Sequence, residues 1–234
     1  MKEKIKKELM NRVGTTWFDK FIYVLKLVTI IFSINITLSL FMGFDDLANS
    51  YPRFLWVLAG IIPAIYMVDV FYRSTKGIKS LEEFRIMNIT SFILFCIHTF
   101  IEVVIFRIFG FSIDIYYLQI LIFLMFSFVF VELVSFMLMN IGKLCPKINR
   151  VIEVLLIPLF SFSGVVFSAN QTSNRYLKLF LKVNPITYIM KGFRDSFVYK
   201  KWFLDTPVRF AFFMVVCIFL LLVGFILNKI NKKK

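Results

Sequence analysis

Four ionisable side chains lie within long apolar runs of the sequence and are the first candidates for chemistry. His98 and Glu102 are one helical turn apart and share a face, Arg107 follows five residues later, and Glu132 lies in the next apolar run. Burying such groups in a membrane is costly, so they are functional candidates that could line a polar path or bind a sugar hydroxyl or an acid. We favour the structural alternative, in which Glu102 and Glu132 join helices and Arg107 extends outward.

No sequence pattern builds an enzyme active site on its own. There is no G-x-x-x-x-G-K-[ST] phosphate loop, no H-E-x-x-H metal motif and no G-x-S-x-G nucleophile motif. His98 is the single histidine, and the scattered cysteines, Cys96, Cys145 and Cys217, show neither metal spacing nor a disulfide framework. We therefore predict no catalytic, metal or cofactor site, and we expect that the chain is not an enzyme.

The composition indicates an integral membrane protein. Hydrophobic residues make up 59% of the chain, above the roughly 45–50% of a soluble domain. The net charge of +14 could suggest a nucleic-acid partner. However, most Lys and Arg residues flank apolar runs, as they do in the cytoplasmic loops of membrane proteins. We therefore predict contact with membrane lipid and no nucleic-acid partner.

The lengths of the apolar runs predict an all-α membrane protein with six transmembrane helices. A helix that crosses the bilayer needs roughly 20 mostly apolar residues. The runs that qualify are residues 21–41, 54–71, 86–109, 115–141, 151–167 and 208–227. Residues 21–234 are therefore predicted to form one six-span domain.

Residues 1–20 are predicted to form an interfacial helix ahead of the first span. Apolar residues recur every four positions from Ile5 to Trp17, with lysines between them. This pattern is typical of a basic amphipathic helix, here over residues 3–18, that lies on the cytoplasmic membrane surface. A solvated charged tail is the alternative. Gly14 is expected to end or kink the helix.

Basic residues cluster on one side of this topology, which places both termini in the cytoplasm. The N-terminal segment, the connections 73–85 and 143–150, and the C-terminal tail are rich in Lys and Arg. The first two outer connections offer only Arg53. Residues 175–209 do not follow this rule, because they carry many basic residues on the predicted outer side. These charges could meet lipid phosphates or an anionic substrate.

Residues 168–206 are predicted to form an outer region of two short helices that enter the membrane or lie along it without crossing. Residues 176–183 and 186–193 are each amphipathic, and Asn184-Pro185 separates them. Proline disfavours helix at the preceding residue and suits a helix first turn. Irregular backbone at membrane depth is tolerated only when it is buried in protein or lines a water-filled path. The arrangement indicates transport rather than catalysis.

Aromatic and basic residues beside this break form the candidate substrate path. Aromatic rings can stack on sugars while letting a polymer slide, although a phenylalanine stripe is more often packing. Lysines can attract an anionic substrate or lipid phosphate. The candidates are Phe160, Phe162, Phe167, Tyr188, Phe193, Lys178, Lys182 and Lys191.

Two stretches resemble the C-terminal signature of ABC-2 type permeases, and more specifically that of the capsular polysaccharide inner-membrane permeases of the polysaccharide-export branch. Residues 158–167 read PLFSFSGVVF, and residues 184–194 read NPITYIMKGFR. The matching features are a proline, a Ser-Gly turn, a polar loop, Asn184-Pro185 and Arg194. The length, the amphipathic N-terminus and the six predicted spans match as well.

The resemblance implies a half-transporter in the bacterial inner membrane. Two copies of the permease would form a homodimer, and each would bind a separate ATPase subunit that holds ATP and Mg²⁺. Residues 3–18 and the loop 73–85 would contact that ATPase, and the region 168–206 would lie at the outer mouth of the channel. The residues expected to couple the loop to the ATPase are Arg73, Lys76, Lys79, Glu82, Glu83 and Arg85.

The function implied by the resemblance is ATP-driven export of a capsular polysaccharide, anionic and lipid-linked, with periplasmic export proteins as further partners. Export of teichoic acid, O-antigen or another lipid-linked glycan is the alternative, because these systems share the signature. A membrane-bound transferase or a scaffold subunit is a further alternative. A transferase would need acids or histidines clustered at a membrane face, and the lone His98 in mid-span argues against it.

Overall fold

The structure is a computed structural model, and in the part of the chain that it describes it is built from helices, without strands. The described residues are 1–14, 16–18, 21, 53–75, 78, 80–108, 115–144, 151–152, 154–155, 159, 163, 174–199, 201–205 and 207–232. The helices are α1 (Lys2–Val13), α2 (Arg53–Thr75), α3 (Leu81–Ile108), α4 (Tyr117–Leu144), α5 (Arg175–Val183), α6 (Pro185–Arg194), a π-helical turn (Asp195–Tyr199), a 3-10 turn (Phe203–Asp205) and α7 (Pro207–Asn231).

Four of these helices are long and apolar enough to cross a membrane, namely α2 from Trp56 onward, α3, α4 and α7. They confirm that the chain carries several membrane helices, at four of the six predicted positions. The other two predicted spans, 21–41 and 151–167, fall largely outside the described residues.

Helix α2 lies at the centre of the described structure. It packs against α3, α4 and α6, and 72% of its apolar stretch is buried, whereas only 17% of the corresponding stretch of α7 is buried. The exposed face of α7 is apolar, with Val215, Phe219 and Phe225 among its exposed side chains. An apolar helix that is exposed along most of its length suits contact with lipid, whereas α2 is positioned by protein on most sides.

Helix α1 is shorter than the predicted helix over residues 3–18, because it ends at Val13. The backbone N–H of Gly14 bonds to the Met10 carbonyl at 2.8 Å, and Gly14 has a φ of 94°. Residues other than glycine rarely adopt such a φ, so the helix ends at this glycine. The predicted role of Gly14 in ending the helix is confirmed, while the position of α1 on a membrane surface stays a prediction.

The predicted loop 73–85 is mostly made of two helix ends. Helix α2 continues to Thr75, where the Thr75 hydroxyl bonds to the Tyr72 carbonyl at 2.8 Å, and α3 starts at Leu81. The Ser80 hydroxyl accepts the backbone N–H of Glu83 at 3.1 Å, which is the N-cap interaction that a serine before a helix commonly makes. Arg73 therefore lies in the last turn of α2, and Glu82, Glu83 and Arg85 lie at the start of α3.

Candidate functional site

The Asn184-Pro185 break between α5 and α6 is held by the side chain of Asn184. Its Oδ1 accepts the backbone N–H of Ile186 at 3.0 Å, and its Nδ2 donates to the Leu159 carbonyl at 3.2 Å. Pro185 occupies the first turn of α6, where the absent N–H costs nothing. The break predicted from the sequence is present, and the Asn184 amide also ties it to a residue far earlier in the chain.

Arg194, the last residue of α6, is buried against the start of α2. Only 5% of it is exposed, its Nε donates to the Trp56 carbonyl at 3.1 Å, and its guanidinium carbon lies 3.4 Å from the centroid of the Trp56 ring. A guanidinium over an indole face is attracted by the ring electrons, most strongly when the pair is shielded from water. Burial lowers the pKa of Arg194 to about 9, so the side chain is still charged at neutral pH.

Gly60 provides the space that Arg194 occupies. A Cβ added at Gly60 would collide with Nη2 of Arg194 and would lie 2.9 Å from its guanidinium carbon. Because both lie in the buried interior, neither α2 nor α6 can shift easily to relieve such a collision. Gly60 and Trp56 are therefore the α2 residues that form the binding position of this arginine, and no pattern in the sequence indicates either pairing.

Asp195 begins the π-helical turn and joins several elements. Its carboxylate lies 3.5 Å from Lys191 Nζ, and its carbonyl accepts the backbone N–H of Lys201 at 3.2 Å. Burial raises the pKa of the Asp195 carboxyl, and the positive charges of Lys191, Lys201 and Arg209 oppose that rise. Asp195 thus links α6, through Lys191, to the segment that follows the π-helical turn, through the backbone of Lys201.

The two described aromatic residues of the predicted substrate path are buried. Phe193 is fully buried against the rings of Phe95 and Phe123, at centroid distances of 5.7 and 6.2 Å, and Tyr188 packs against Phe213 at 5.0 Å. Their burial assigns both rings to helix packing in this conformation.

The basic path candidates are more accessible. Lys178 and Lys182 are exposed on α5, whereas Lys191 is partly buried beside Asp195. Phe160, Phe162 and Phe167 fall outside the described residues. Among the candidates that the structure describes, the two α5 lysines are therefore the ones that a polymer could reach directly.

Two of the predicted intramembrane polar residues, Glu132 and Arg107, make contacts between α3 and α4. Glu132 accepts a 2.5 Å hydrogen bond from Asn88, whose amide also donates to the Ser135 hydroxyl at 3.3 Å. This contact joins α3 to α4, as the structural interpretation expected. Arg107 is exposed and donates from Nε to the Tyr117 hydroxyl at 2.9 Å, across the α3–α4 connection.

His98 and Glu102 are both buried in α3. Glu102 is fully buried, and neither of its carboxylate oxygens has a hydrogen-bond partner within the described part of the chain. The helix-joining contact expected of Glu102 is therefore absent from the described residues. Nor do any three of the described His, Cys, Asp and Glu side chains group in a way that could hold a metal ion.

Helix α1 is fastened to α2 and α3 by an ion-pair network centred on Arg12. Arg12 Nε bonds to Glu8 at 3.0 Å, and its Nη1 bonds to Asp69 at 3.1 Å and to the Ser91 hydroxyl at 2.7 Å. Arg73 closes the network, with Nε 2.7 Å from Asp69. The Arg12 side chain is only 8% exposed, so it points into the protein rather than lying on a solvated face of α1.

Sequence reasoning missed Asp69, Glu8 and Ser91 as members of this network. A local signal was available for Asp69, because it precedes Arg73 by four residues and such a pair faces one side of a helix. No local signal pairs Arg12 with Asp69, which are 57 residues apart.

The predicted ATPase-coupling residues surround the α2–α3 connection. Glu82 pairs with Lys4 of α1 at 2.7 Å, and both side chains are more than half exposed. Glu83 and Arg85 are also exposed on the first turns of α3. Arg73 belongs to the Arg12 network, while Lys76 and Lys79 fall outside the described residues. The described members form an exposed, charged surface that includes α1.

The chain was compared with protein-family models and with curated proteins. The model of the ABC-2 type transporter family matches residues 9–198, which include Arg12, Asp69 and Arg73 of the ion-pair network, the Asn184-Pro185 break and Arg194. A search among curated proteins found no match.

Proposed function

Because the chain belongs to the ABC-2 type transporter family, whose members are transport components of membranes and pair with an ATPase subunit, we propose that it is the transmembrane subunit of an ATP-driven exporter of a capsular polysaccharide. The family match supports the class of transporter. The resemblance of residues 158–167 and 184–194 to capsular polysaccharide permeases supports the branch. In this proposal two copies of the chain form the channel, with both termini in the cytoplasm of a bacterium.

The ATPase subunit would bind the surface formed by α1 and the α2–α3 connection. The observation that carries this part of the proposal is the Arg12 network, which joins α1 to α2 through Asp69 and to α3 through Ser91. The Lys4–Glu82 pair also joins α1 to the start of α3. The unit also presents exposed charges of both signs, including Lys4, Glu82 and Arg85, to a partner. In an ABC transporter, ATP and Mg²⁺ are bound by the ATPase partner, and this chain would receive its movement.

Helix α2 would transmit that movement to the outer region. Arg73 in the network and Trp56 under Arg194 are 17 residues apart on the same helix, a distance of roughly 26 Å at 1.5 Å per residue. A rotation or tilt of α2 at the ATPase end would therefore displace Trp56 and Gly60, which contact Arg194 at the other end. Because Arg194 ends α6, the displacement would reach the α5–α6 region directly.

The basic face of α5 supports an anionic, lipid-linked polymer as the substrate. Lys178 and Lys182 are exposed and lie beside the exposed apolar side chains of Tyr176 and Leu179. Such a face suits a site where an anionic polymer meets the membrane surface, because the lysines attract carboxylate or phosphate groups and the apolar residues contact lipid. Teichoic acid and O-antigen are the alternative substrates.

The proposal is tested by purifying the tagged chain from its native cells, identifying any nucleotide-binding subunit that co-purifies, and measuring ATP hydrolysis. We expect a stable complex, and we expect Arg85→Glu to lower recovery of the ATPase several-fold, because it reverses a charge on the proposed docking surface. Arg175→Glu, an equal charge change on α5, is the matched control and should leave recovery unchanged. Failure of the unmodified chain to retain any nucleotide-binding subunit would contradict the transporter assignment.

The substrate is identified by measuring surface polymers in cells that lack the chain. Deleting the chain should remove capsular polysaccharide from the cell surface while the polymer accumulates inside, and restoring the chain should reverse both changes. Loss of teichoic acid or O-antigen with an intact capsule would instead support the alternative substrates.

A further inference from the structure

A cavity of about 360 Å³ lies between α1, α2 and α3. Its volume is within the roughly 300–1,000 Å³ range of small-molecule sites. Along α2 the lining runs from Ile65 to Arg73, and along α3 from Ser91 to His98, so the cavity follows each helix for roughly 10–12 Å. The cavity is elongated along the helices rather than being a small internal void.

The lining is charged in one part and mostly apolar in another, where His98 and Tyr66 are the polar members. Arg12, Asp69 and Arg73 of the network form one part of the wall, and Ile65, Leu94 and Phe95 form another. Asp69 and Arg73 are partly exposed, whereas Leu94 and Phe95 are buried. A ligand that fits this wall is amphipathic, with polar atoms near the ion pairs and an apolar chain against the other residues.

Two buried polar atoms in this wall have no hydrogen-bond partner among the described residues. They are Nη2 of Arg12 and the hydroxyl of Tyr66. Tyr66 is 4% exposed, and its ring is stacked on Phe95 at 4.5 Å, so the hydroxyl cannot turn out to solvent without loss of that packing. Buried polar atoms are nearly always hydrogen-bonded, so two such atoms in one cavity point to an acceptor that occupies it.

The charges around the cavity select the kind of acceptor. Arg12 and Arg73 carry positive charge, and Glu8 and Asp69 carry negative charge within 3.5 Å of them, so the ion pairs cancel. The two donors without a partner, Arg12 Nη2 and the Tyr66 hydroxyl, therefore lie in surroundings without a net positive charge. An uncharged acceptor such as an ester carbonyl suits this arrangement better than a bare phosphate or carboxylate does.

We propose that this cavity binds a glycerolipid, with its ester carbonyl oxygens on Arg12 and Tyr66 and an acyl chain against Ile65, Leu94 and Phe95. The bound lipid fills the space between α1 and the membrane helices and completes the hydrogen bonding of both residues. This site is separate from the proposed polysaccharide path and does not depend on the identity of the exported substrate.

The experiment measures lipid binding to the purified full chain by native mass spectrometry. The probes are dioctanoyl phosphatidylglycerol, dioctanoyl phosphatidylethanolamine, the dioctyl ether analogue of the first, and inorganic phosphate. We expect one bound molecule of either ester lipid, weaker binding of the ether analogue, which has no carbonyl oxygens, and no competition by phosphate. Equal binding of ester and ether lipids, or displacement by phosphate alone, would overturn the proposal.

Two variants locate the binding. Tyr66→Phe removes only the hydroxyl and should weaken binding of the ester lipid by about 2- to 12-fold, the range for one hydrogen bond, without weakening binding of the ether analogue. Leu94→Trp fills the cavity and should abolish binding, whereas Ile97→Trp, on the exposed side of the same helix, should not. Unchanged binding in Tyr66→Phe, or equal losses in the two tryptophan variants, would show that the lipid binds elsewhere.

Discussion

Two arginines hold opposite ends of α2, and the contacts that hold them differ in kind. Arg12 reaches α2 from α1 through carboxylates, and the Asp69 side chain in that contact is 36% exposed. Arg194 reaches α2 from α6 through the ring and the carbonyl of Trp56, in the protein interior. One contact is a charge network near water, and the other is a single cation packed against an aromatic face.

The difference shows how one helix can be both movable and anchored. Interactions between partly exposed charges are weakened by water and salt, and Arg12, Arg73, Glu8 and Asp69 can exchange partners among themselves. The Arg194 contact has no such freedom, because moving the guanidinium requires repacking around Trp56 and Gly60. In the proposed transporter, the contacts of α2 near the ATPase are thus adjustable, whereas its other end is firmly joined to α6, so that α6 moves with it.

The largest effect is expected for Arg194→Ala. It removes a desolvated cation–π contact of about 2 kcal/mol and a hydrogen bond from a charged group of about 1.5–3 kcal/mol, less the desolvation that a buried cation costs. We expect a loss of about 2–4 kcal/mol in the free energy of unfolding, measured by chemical unfolding in mild detergent. Arg194→Lys should lose most of this stability too, because lysine lacks the planar guanidinium.

The matched control is Arg175→Ala, which removes an exposed arginine from α5. It should leave the unfolding free energy within about 0.5 kcal/mol of the unmodified chain. If Arg194→Ala proved as mild as this control, the fixed end of α2 would not depend on Arg194, and the contrast between the two ends would fail.

The next largest effect is expected for Gly60→Ala, which tests whether Arg194 and α2 form one packed unit. The added methyl group collides with Nη2 of Arg194 and should cost about 1–3 kcal/mol of unfolding free energy. In a chain that already carries Arg194→Ala, the collision is absent and the cost should fall well below that value. A double-mutant cycle measures this coupling.

Gly224→Ala is the control for that cycle. A Cβ at Gly224 meets the ring of Phe136, at 2.9 Å from its nearest atom, on α4 rather than at Arg194. Its cost should be the same with and without Arg194→Ala, because distant substitutions add independently. Equal costs of Gly60→Ala in both backgrounds would show that Gly60 does not seat the arginine.

The features that were predictable from the sequence are those with local causes. Long apolar runs predict α2, α3, α4 and α7, because a span needs only length and apolar composition. The Ser80 cap and the Asn184-Pro185 break were predictable as well, since each depends on neighbouring residues. The family signature also lies in short stretches, and the resemblance to ABC-2 type permeases agrees with the family match over residues 9–198.

The contacts that define the two ends of α2 could not be predicted in the same way. Arg194 and Trp56 are 138 residues apart, and nothing in the sequence indicates that a cation of one short helix meets that ring. Phe193 illustrates a second difficulty, because an aromatic residue on an amphipathic helix fits both a substrate path and a core. Its burial depends on where α2, α3 and α4 lie, which is a property of the whole packing.

The smallest effect is expected at the adjustable end. Asp69→Asn removes the carboxylate shared by Arg12 and Arg73. Because Asp69 and Arg73 are partly exposed and the buried Arg12 keeps its pair with Glu8, the cost should be only about 1 kcal/mol of unfolding free energy. The Debye length falls from roughly 10 Å at 0.1 M salt to 3 Å at 1 M, so this cost should shrink as salt is added. Measuring unfolding at both salt concentrations for Asp69→Asn and Arg194→Ala separates the two kinds of contact.

Lys4→Ala should have the smallest effect of these substitutions. Both side chains of the Lys4–Glu82 pair are exposed, so the pair should contribute no measurable stability at either salt concentration. The Arg194→Ala cost should be the same at both concentrations, since the Trp56 contact is shielded from solvent. If the Asp69→Asn cost were equally insensitive to salt, its charges would be as shielded as Arg194. Helix α2 would then be fixed at both ends, and transmission along it would require movement of the whole bundle rather than of one end.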